Sequence, residues 1–427
     1  MDSTLVGVLA DAKALFKKLR AEHSTDLPDV IDRAAGVVVP SWRTLRDFRD
    51  HPLHRMMSRV GGFPPALARY FVALYSKPGE VVLDPFCGKG TALLEALMLG
   101  RFAVGGDLAP DAVVVSRAKC SSVTVAEVAR YIEALALRRD VNIGDVPRDV
   151  ALFFSRNTLL QLVSVRDQVL VDMGRGRQRK VATFVCGVLL GILHGHSKLA
   201  LSLPCNQAFG MAPNYVRRYV AAHKLERPKR DVRECLLMKS LELLPAPRLC
   251  GEWLVAEQAA QSCREYVGGA FDFPSLILTS PPYMNRQTYI KDSWLRLWLL
   301  GRNRESLLPG SMETGNVRTF LEGTRQSLEA MVSSLRPNGR IVLVCGRANL
   351  RLAGQEHPVR VADLCLYAIN NTERLRASVA VERLIIDRKL MIRGSYFAVH
   401  AGKTRGDSDT PAQRYGEDEI LVLKKQR

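Results

Sequence analysis

Ser280, Pro281, Pro282 and Tyr283 form the most chemically pointed corner of this chain, within LILTSPPYMNRQTYIKD. Leu276 to Leu278 read as a buried strand, and the two prolines end it by removing two backbone donors and fixing two φ angles. A plain turn would more often use Gly, Asn or Asp. The corner instead presents a serine hydroxyl, a Pro281 carbonyl held in one direction, and an aromatic face at Tyr283. Because the prolines add no competing donors, the two oxygens suit a group that carries N–H bonds, and an aromatic face suits a flat ring.

A second stretch, VVLDPFCGKGTALLEA, reads as strand, glycine loop and helix, and FAVGGD adds a strand ending at Asp107. That is a βαβ unit, whose crossover implies parallel pairing. The loop is no nucleotide P-loop, because Leu83 stands where the first glycine is required and Gly90 follows the Gly-Lys. It is only part of a dinucleotide fingerprint, since Leu93 replaces the third glycine. Asp84 ends the first strand beside the loop. Asp107 ends the next, 17 residues after Gly90, where a carboxylate can accept both hydroxyls of a ribose. Two acids and a glycine loop suit a cationic ligand with an amino-acid tail and an adenosine, and S-adenosylmethionine fits that description.

Further elements must hold these residues in place. FPPALARYFVALY predicts a helix opened by proline, and the helix after the loop closes at Gly100. Strand patterns recur at SLILTS, GRIVLVCG, VERLIID and DEILVLKK, with a polar loop HAGKTRGDSDTPAQRYGEDE before the last. Between about residues 112 and 250 the pattern is mostly helical with basic connectors. The 427 residues carry 61 Lys/Arg against 43 Asp/Glu, a formal charge of +18 that points to a polyanionic partner. Val171 to Cys250 alone holds 14 basic and 5 acidic residues, half of that excess. The densest cluster runs through Arg217, Arg218, Lys224, Arg227, Lys229, Arg230 and Arg233. A second basic stretch holds Arg175, Arg177, Arg179 and Lys180.

No apolar run reaches the ~18 to 20 residues of a membrane span, so no membrane is expected and the expected place is the cytoplasm. The nine cysteines show no CxxC pair, which argues against the usual zinc spacings and a disulfide framework. No metal is expected; His194 and His196 in HGHS lack a partnering cluster. Trp294 and Trp298, four residues apart, read as core packing.

Taken together, these segments resemble the S-adenosylmethionine-dependent DNA methyltransferases that modify exocyclic amino groups. DPFCGKGT looks like that family's cofactor loop, TSPPY like its catalytic motif in the form typical of N4-cytosine enzymes, and HPLHRMMSRVGGFPPALARYF like the segment that closes over the methionine part of the cofactor. YIKDSWLRLWLLG and LRPNGRIVLVCG fit the segments that follow. Lys89 departs from the family's small hydroxyl residue.

The resemblance implies an α/β, Rossmann-like methyltransferase fold with a mostly parallel sheet. A catalytic domain would span 51–114 and 251–427, a helical basic insertion at 115–250 would recognise the target, and a helical segment would occupy 1–50. It implies S-adenosylmethionine as cofactor, held by Asp84, Pro85, Phe86, Cys87, Gly88, Gly90, Thr91, Asp107 and, near the adenine, Glu257 or Gln258. Ser280, Pro281, Pro282 and Tyr283 would act on a flipped-out base. Double-stranded DNA is the implied partner, met in the nucleoid and gripped by the basic residues, with Arg175, Arg177, Arg179, Lys180, Arg217, Arg218, Lys224, Lys229 and Arg230 foremost. A cognate restriction endonuclease is a further partner that such enzymes admit. Serine at the head of the motif favours N4 of cytosine. The alternatives are N6 of adenine, N2 of guanine in RNA, and an inactive nucleic-acid-binding relative.

Overall fold

The computed structural model describes residues 51–426, together with Asp11, Ala14 and Lys18, and excepting 59–61, 138–140, 175, 196, 205–212, 245–248, 250, 269–270, 283–292, 304, 308–310, 313, 315, 353–354 and 391–414. Tyr283, Tyr289, Arg175, His196, almost all of the 1–50 segment and most of the polar loop before the last strand lie outside the described residues.

In chain order the chain forms α1 (Pro65–Tyr75), β1 (Val81–Asp84), α2 (Thr91–Met98), β2 (Phe102–Asp107), α3 (Pro110–Cys120) and α4 (Val125–Ala134). The helices α5 (Arg156–Gly174), α6 (Arg179–Ile192), α7 (Pro213–His223) and α8 (Val232–Leu243) follow. Then come β3 (Trp253–Glu257), β4 (Leu276–Thr279), a short helix Trp294–Leu299, α9 (Val317–Ser334) and β5 (Arg340–Cys345). The hairpin β6 (Arg347–Leu352) and β7 (Gln355–Arg360), helix α10 (Val361–Asn370), and strands β8 (Val379–Leu390) and β9 (Tyr415–Lys425) complete the order.

The central sheet has the order β3-β2-β1-β4-β5-β9-β8. Its first five strands pair in parallel, and β9 pairs antiparallel with both β5 and β8. Strands β1 and β4 are buried throughout, as a parallel sheet covered on both faces requires. Alternate residues feed two separate cores. Val82, Leu276, Leu278 and Val342 pack with α1 and α2, whereas Leu83, Ile277, Ile341 and Leu343 pack with α9 and α10. The chain runs outward from β1 through β2 to β3, then returns to place β4 on the other side of β1. That reversal between β1 and β4 opens a crevice at their carboxyl ends.

The helical region between β2 and β3 shares a third core with the rest of the chain. Its buried side chains, such as Phe153, Leu162 and Phe184, cluster with Met56, Val115, Ala118, Leu295 and Leu299. A Cβ at Gly191 of α6 would stand 1.8 Å from the Met56 carbonyl, so only glycine permits this approach.

One buried ionic cluster fastens the segment around residues 51–57 to the sheet's helices. Glu95 of α2, wholly buried, accepts from Arg69 of α1 at 2.7 and 3.1 Å and meets His54 Nε2 at 2.8 Å. Burial opposes the Glu95 charge, but the bonds from His54 and Arg69 together hold its carboxyl below the ordinary value. Burial keeps His54 neutral, its value lowered from 6.5 to about 4. Between those two values the unfolded chain takes up a proton that the folded one refuses, so stability falls as pH drops below about 6.5. Glu95 adds to the same trend at more acid pH, because a depressed carboxyl gives up its contribution as it becomes protonated. Glu95→Gln leaves the Arg69 charge buried and is expected to cost about 3–5 kcal/mol in urea unfolding. An unchanged midpoint would show that the cluster holds nothing together.

Candidate active site

The glycine loop owes its shape to two left-handed residues and a set of short bonds. Gly88 and Gly90 have φ of 50° and 70°. A Cβ at Gly90 would stand 2.7 Å from Ser116 Oγ and 3.1 Å from the Ser116 backbone, so α3 can press on the loop only there. Ser116 donates to the Gly88 carbonyl at 3.0 Å, and the wholly buried Lys119 donates to the Lys89 carbonyl at 2.6 Å. The Cys87 amide donates to Gly106 O at 2.9 Å, tying the loop to β2. Thr91 is buried at the first position of α2, and Phe86 is half-buried against the α9 side of the sheet.

Three successive parallel strands end in acids. Asp84, Asp107 and Glu257 close β1, β2 and β3, and the register sets Asp107 beside Glu257. Asp107 accepts the Gly88 amide at 2.9 Å through Oδ2 and the Ala109 amide at 2.8 Å through Oδ1. A carboxylate accepts up to about four hydrogen bonds, enough to take ribose hydroxyls beside these two amides. Asp84 is 2% exposed, and burial raises its carboxyl from 3.8 to about 7 against the bonds from Thr279 and Phe86, with the Asp107 charge adding to the rise. Glu257 is more open and is paired with Arg302.

The proline corner lies directly beside this loop. Leu83 pairs with Ile277, and beyond that register Thr279 Oγ1 donates to Asp84 Oδ1 at 2.6 Å. Ser280 donates its hydroxyl proton to the Val344 carbonyl of β5 at 2.8 Å. Pro281 is buried and Pro282 half-buried. With its proton committed to Val344, the Ser280 oxygen can turn its lone pairs toward an N–H donor.

Beyond the corner, arginines anchor the chain. Arg296 lies 3.5 Å from Asp111 and donates to the Ser58 carbonyl at 2.9 Å. Arg166 of α5 donates to Leu299 O at 3.1 Å and stands 4.9 Å over the Trp298 ring. Trp294 packs edge-on against Phe153 at 5.7 Å, so both tryptophans belong to packing. His194 Nδ1 lies 2.5 Å from Ser202 Oγ and packs edge-on against Phe153.

The basic residues divide. Arg177, Arg179, Lys180, Arg218, Lys224 and Lys229 are exposed. Arg217 pairs with Asp149 and Asn214, Arg227 donates to Leu152 O, Arg230 to Ala200 O and Arg233 to Leu135 O. Sequence reasoning assigned no role to Thr279, Ser116, Lys119 or Arg302. Thr279 stood inside a quoted motif; the others had no local signal.

Comparison with known proteins agrees with this geometry. The N6/N4 family model, described as DNA methylase, matches residues 50–117, which hold the segment before α1, α1 itself, the glycine loop and Asp107. Over this stretch the chain is similar to the N6/N4 DNA methylase family. Two type II methyltransferases of Methanocaldococcus jannaschii are similar. M.MjaII is 25% identical over 84 residues, covering 20% of this chain and 16% of that protein. M.MjaI is 33% identical over 67 residues, covering 16% of this chain and 22% of that protein. Among solved structures, TrmN from Thermus thermophilus aligns over 87% of this chain and 52% of its own, at 13% identity and a TM-score of 0.30. A putative rRNA-methylase from Clostridium thermocellum aligns over 84% of this chain and 95% of its own, at 9% identity and a TM-score of 0.30. The fold itself rests on the strand order and register above.

S-adenosylmethionine is the cofactor this DNA methylase family implies, and the residues present fit it. Burial raises the Asp84 carboxyl to about 7, so a cationic neighbour would stabilise its ionised form; Asp107 offers a carboxylate at the ribose position, and Gly90 lets the loop approach closely. If Asp84 faces the cationic end, binding below about pH 7 must displace its proton. Affinity by calorimetry should then fall up to about tenfold per pH unit below that point, with proton release visible as buffer-dependent heat. Asp84→Asn should bind weakly and lose the slope, and a flat wild-type profile would remove Asp84 from the cation's surroundings.

Proposed function

We propose that the protein transfers a methyl group from S-adenosylmethionine to the N4 amino group of cytosine in a base flipped out of DNA. The supporting observation is the Thr279–Asp84 hydrogen bond of 2.6 Å, which joins the glycine loop to the proline corner at the sheet's reversal point. Bound S-adenosylmethionine supplies an electrophilic methyl group.

The amine's lone pair is delocalised into the ring, so it is a poor nucleophile until it is drawn out of conjugation and held in line with the methyl. Ser280 Oγ and the Pro281 carbonyl serve as the two acceptors for its N–H groups, and the prolines keep those acceptors fixed. Tyr283 stacks on the flipped base. A nitrogen–carbon bond forms as the sulfur–carbon bond breaks, and the amine's proton leaves to water, so no covalent enzyme intermediate is needed. Serine at the head of the motif favours cytosine over adenine.

DNA is gripped by the exposed cations of the helical region, Arg177, Arg179, Lys180, Arg218, Lys224 and Lys229. Arg179 lies near enough to Arg117 to lower its value, after burial, and Arg117 donates to Val255 O on β3. Arg179, the first residue of α6, therefore lies on the β3 side of the sheet.

Nucleoside mass spectrometry of DNA and RNA from a host expressing the protein, beside a Tyr283→Ala control, tests the reaction. N4-methylcytosine in DNA that is missing from the control is the expected result. N6-methyladenine would keep the mechanism and reject the base, and a mark in RNA alone would reject the substrate. Reversing Arg218 and Lys224 to Glu should reduce the slope of log K against log salt for duplex DNA by about one unit for each phosphate no longer neutralised. An unchanged slope would take these residues off the phosphates.

A further inference from the structure

Helix α7 turns an acid-free face outward. Val216 is buried and Tyr219 and Val220 are half-buried against the helical core, whereas Asn214, Arg217, Arg218, Ala221 and Ala222 are exposed. Residues 213–224 contain no Asp or Glu. The 11 residues of α7 span about 16 Å at ~1.5 Å each, and the paired alanines keep the outer side narrow. The major groove of duplex DNA, about 12 Å wide, admits a helix of this kind. Tyr215 and His223 stack on Tyr219 at 5.9 and 4.1 Å, so rings stiffen one flank.

Arg217 differs from the other exposed cations in how it is held. Its Nη1 donates to Asn214 Oδ1 at 2.7 Å and its Nη2 to the Asp149 carboxylate. Two of its five N–H donors are thereby taken, and three remain on a side chain that is still 48% exposed. The carboxylate offsets its charge, so Arg217 adds little to a general attraction for phosphates. It keeps a planar donor array, ordered before a ligand arrives, and that property distinguishes one base edge from another. Guanine, with O6 and N7 as adjacent acceptors, is the edge that matches an arginine fork.

The contacts that hold α7 also lead toward the proline corner. Asp149 lies in the short helix Arg148–Ala151, and Arg227, just past α7, donates to the Leu152 carbonyl at 2.7 Å. The next residue, Phe153, packs edge-on against Trp294 at 5.7 Å, and Trp294 opens the short helix that follows the corner. We propose that α7 is the sequence-reading helix, with Arg217 donating to O6 and N7 of a guanine in the major groove. This rests on the DNA reading above and adds the residue that chooses the site. Asp149 is a positioning residue that acts through Arg217.

Selection from a library of random duplexes, with sequencing of the bound fraction, tests the assignment. Wild-type protein should enrich a motif with a fixed guanine. Arg217→Ala should relax discrimination at that position by about 5- to 150-fold, the range of a bidentate arginine–guanine contact, and leave the other positions and the salt slope unchanged. Asp149→Asn should relax the same position by a smaller factor, and thermal melts of both variants check folding. Uniform weakening over all sequences with a shallower salt slope would make Arg217 a phosphate contact, and an unchanged motif would leave it a surface ion pair. Either result overturns the proposal. Wild-type protein that methylates DNA yet enriches no guanine overturns it alone, whereas wild-type protein that binds no duplex overturns the DNA reading as well.

Discussion

A single buried hydrogen bond, from Thr279 to Asp84 at 2.6 Å, sets the distance between the glycine loop and the proline corner of this chain. It spans 195 residues of sequence, and it exists because β1 and β4 lie side by side although the whole β2–β3 excursion separates them. The bond holds a carboxyl that burial alone would drive toward neutrality. Asp84 is therefore poised, near neutral pH, between a proton and a cationic neighbour. Any shift of β4 along β1 would break this bond and carry Ser280 away from Val344, so strand register and site geometry are one constraint.

The parts of the site visible in sequence were those written locally. The loop from Asp84 to Thr91 and the corner from Thr279 to Pro282 each carry glycines or prolines whose backbone needs are fixed by residue type. The strands VVLD, FAVGGD, LILT, RIVLVC and the last two sheet strands were likewise legible, because continuous apolar runs mark buried parallel or central strands. The β6–β7 hairpin was not singled out; its strands mix charged and apolar residues without a strong β signal. Contacts made across the fold were hidden. Nothing local says that Arg302 pairs with Glu257, or that Lys119 reaches Lys89. Nor does composition separate Arg217, Arg227, Arg230 and Arg233, which bind groups within the protein, from the exposed Arg218, Lys224 and Lys229 among them. A basic count measures charge, whereas partners depend on which helix faces which carbonyl.

The helical region does more than hang from the sheet. Its core is continuous with Met56 before α1 and with Leu295 and Leu299 after the proline corner. Arg166 on α5 covers Trp298 and donates to Leu299 O, while Arg296 reaches Asp111 and the Ser58 carbonyl. The short helix Trp294–Leu299 is thus clamped between α5, α3 and the segment before α1. A load placed on the helices by a bound duplex would reach that clamp through packed side chains, which move as discrete units and not as soft springs.

The distribution of charge follows the same division. A chain of +18 nevertheless places carboxylates at the ends of β1, β2 and β3, and exposes Arg177, Arg179, Lys180, Arg218, Lys224 and Lys229 in the helical region. Asp84 is buried and Asp107 half-buried, whereas Glu257 is exposed. Arg302 on Glu257 and the two backbone amides on Asp107 further mute their field. The exposed cations of the helical region and the acids at the strand ends thus sit on different elements, and the most deeply buried of those carboxyls is Asp84.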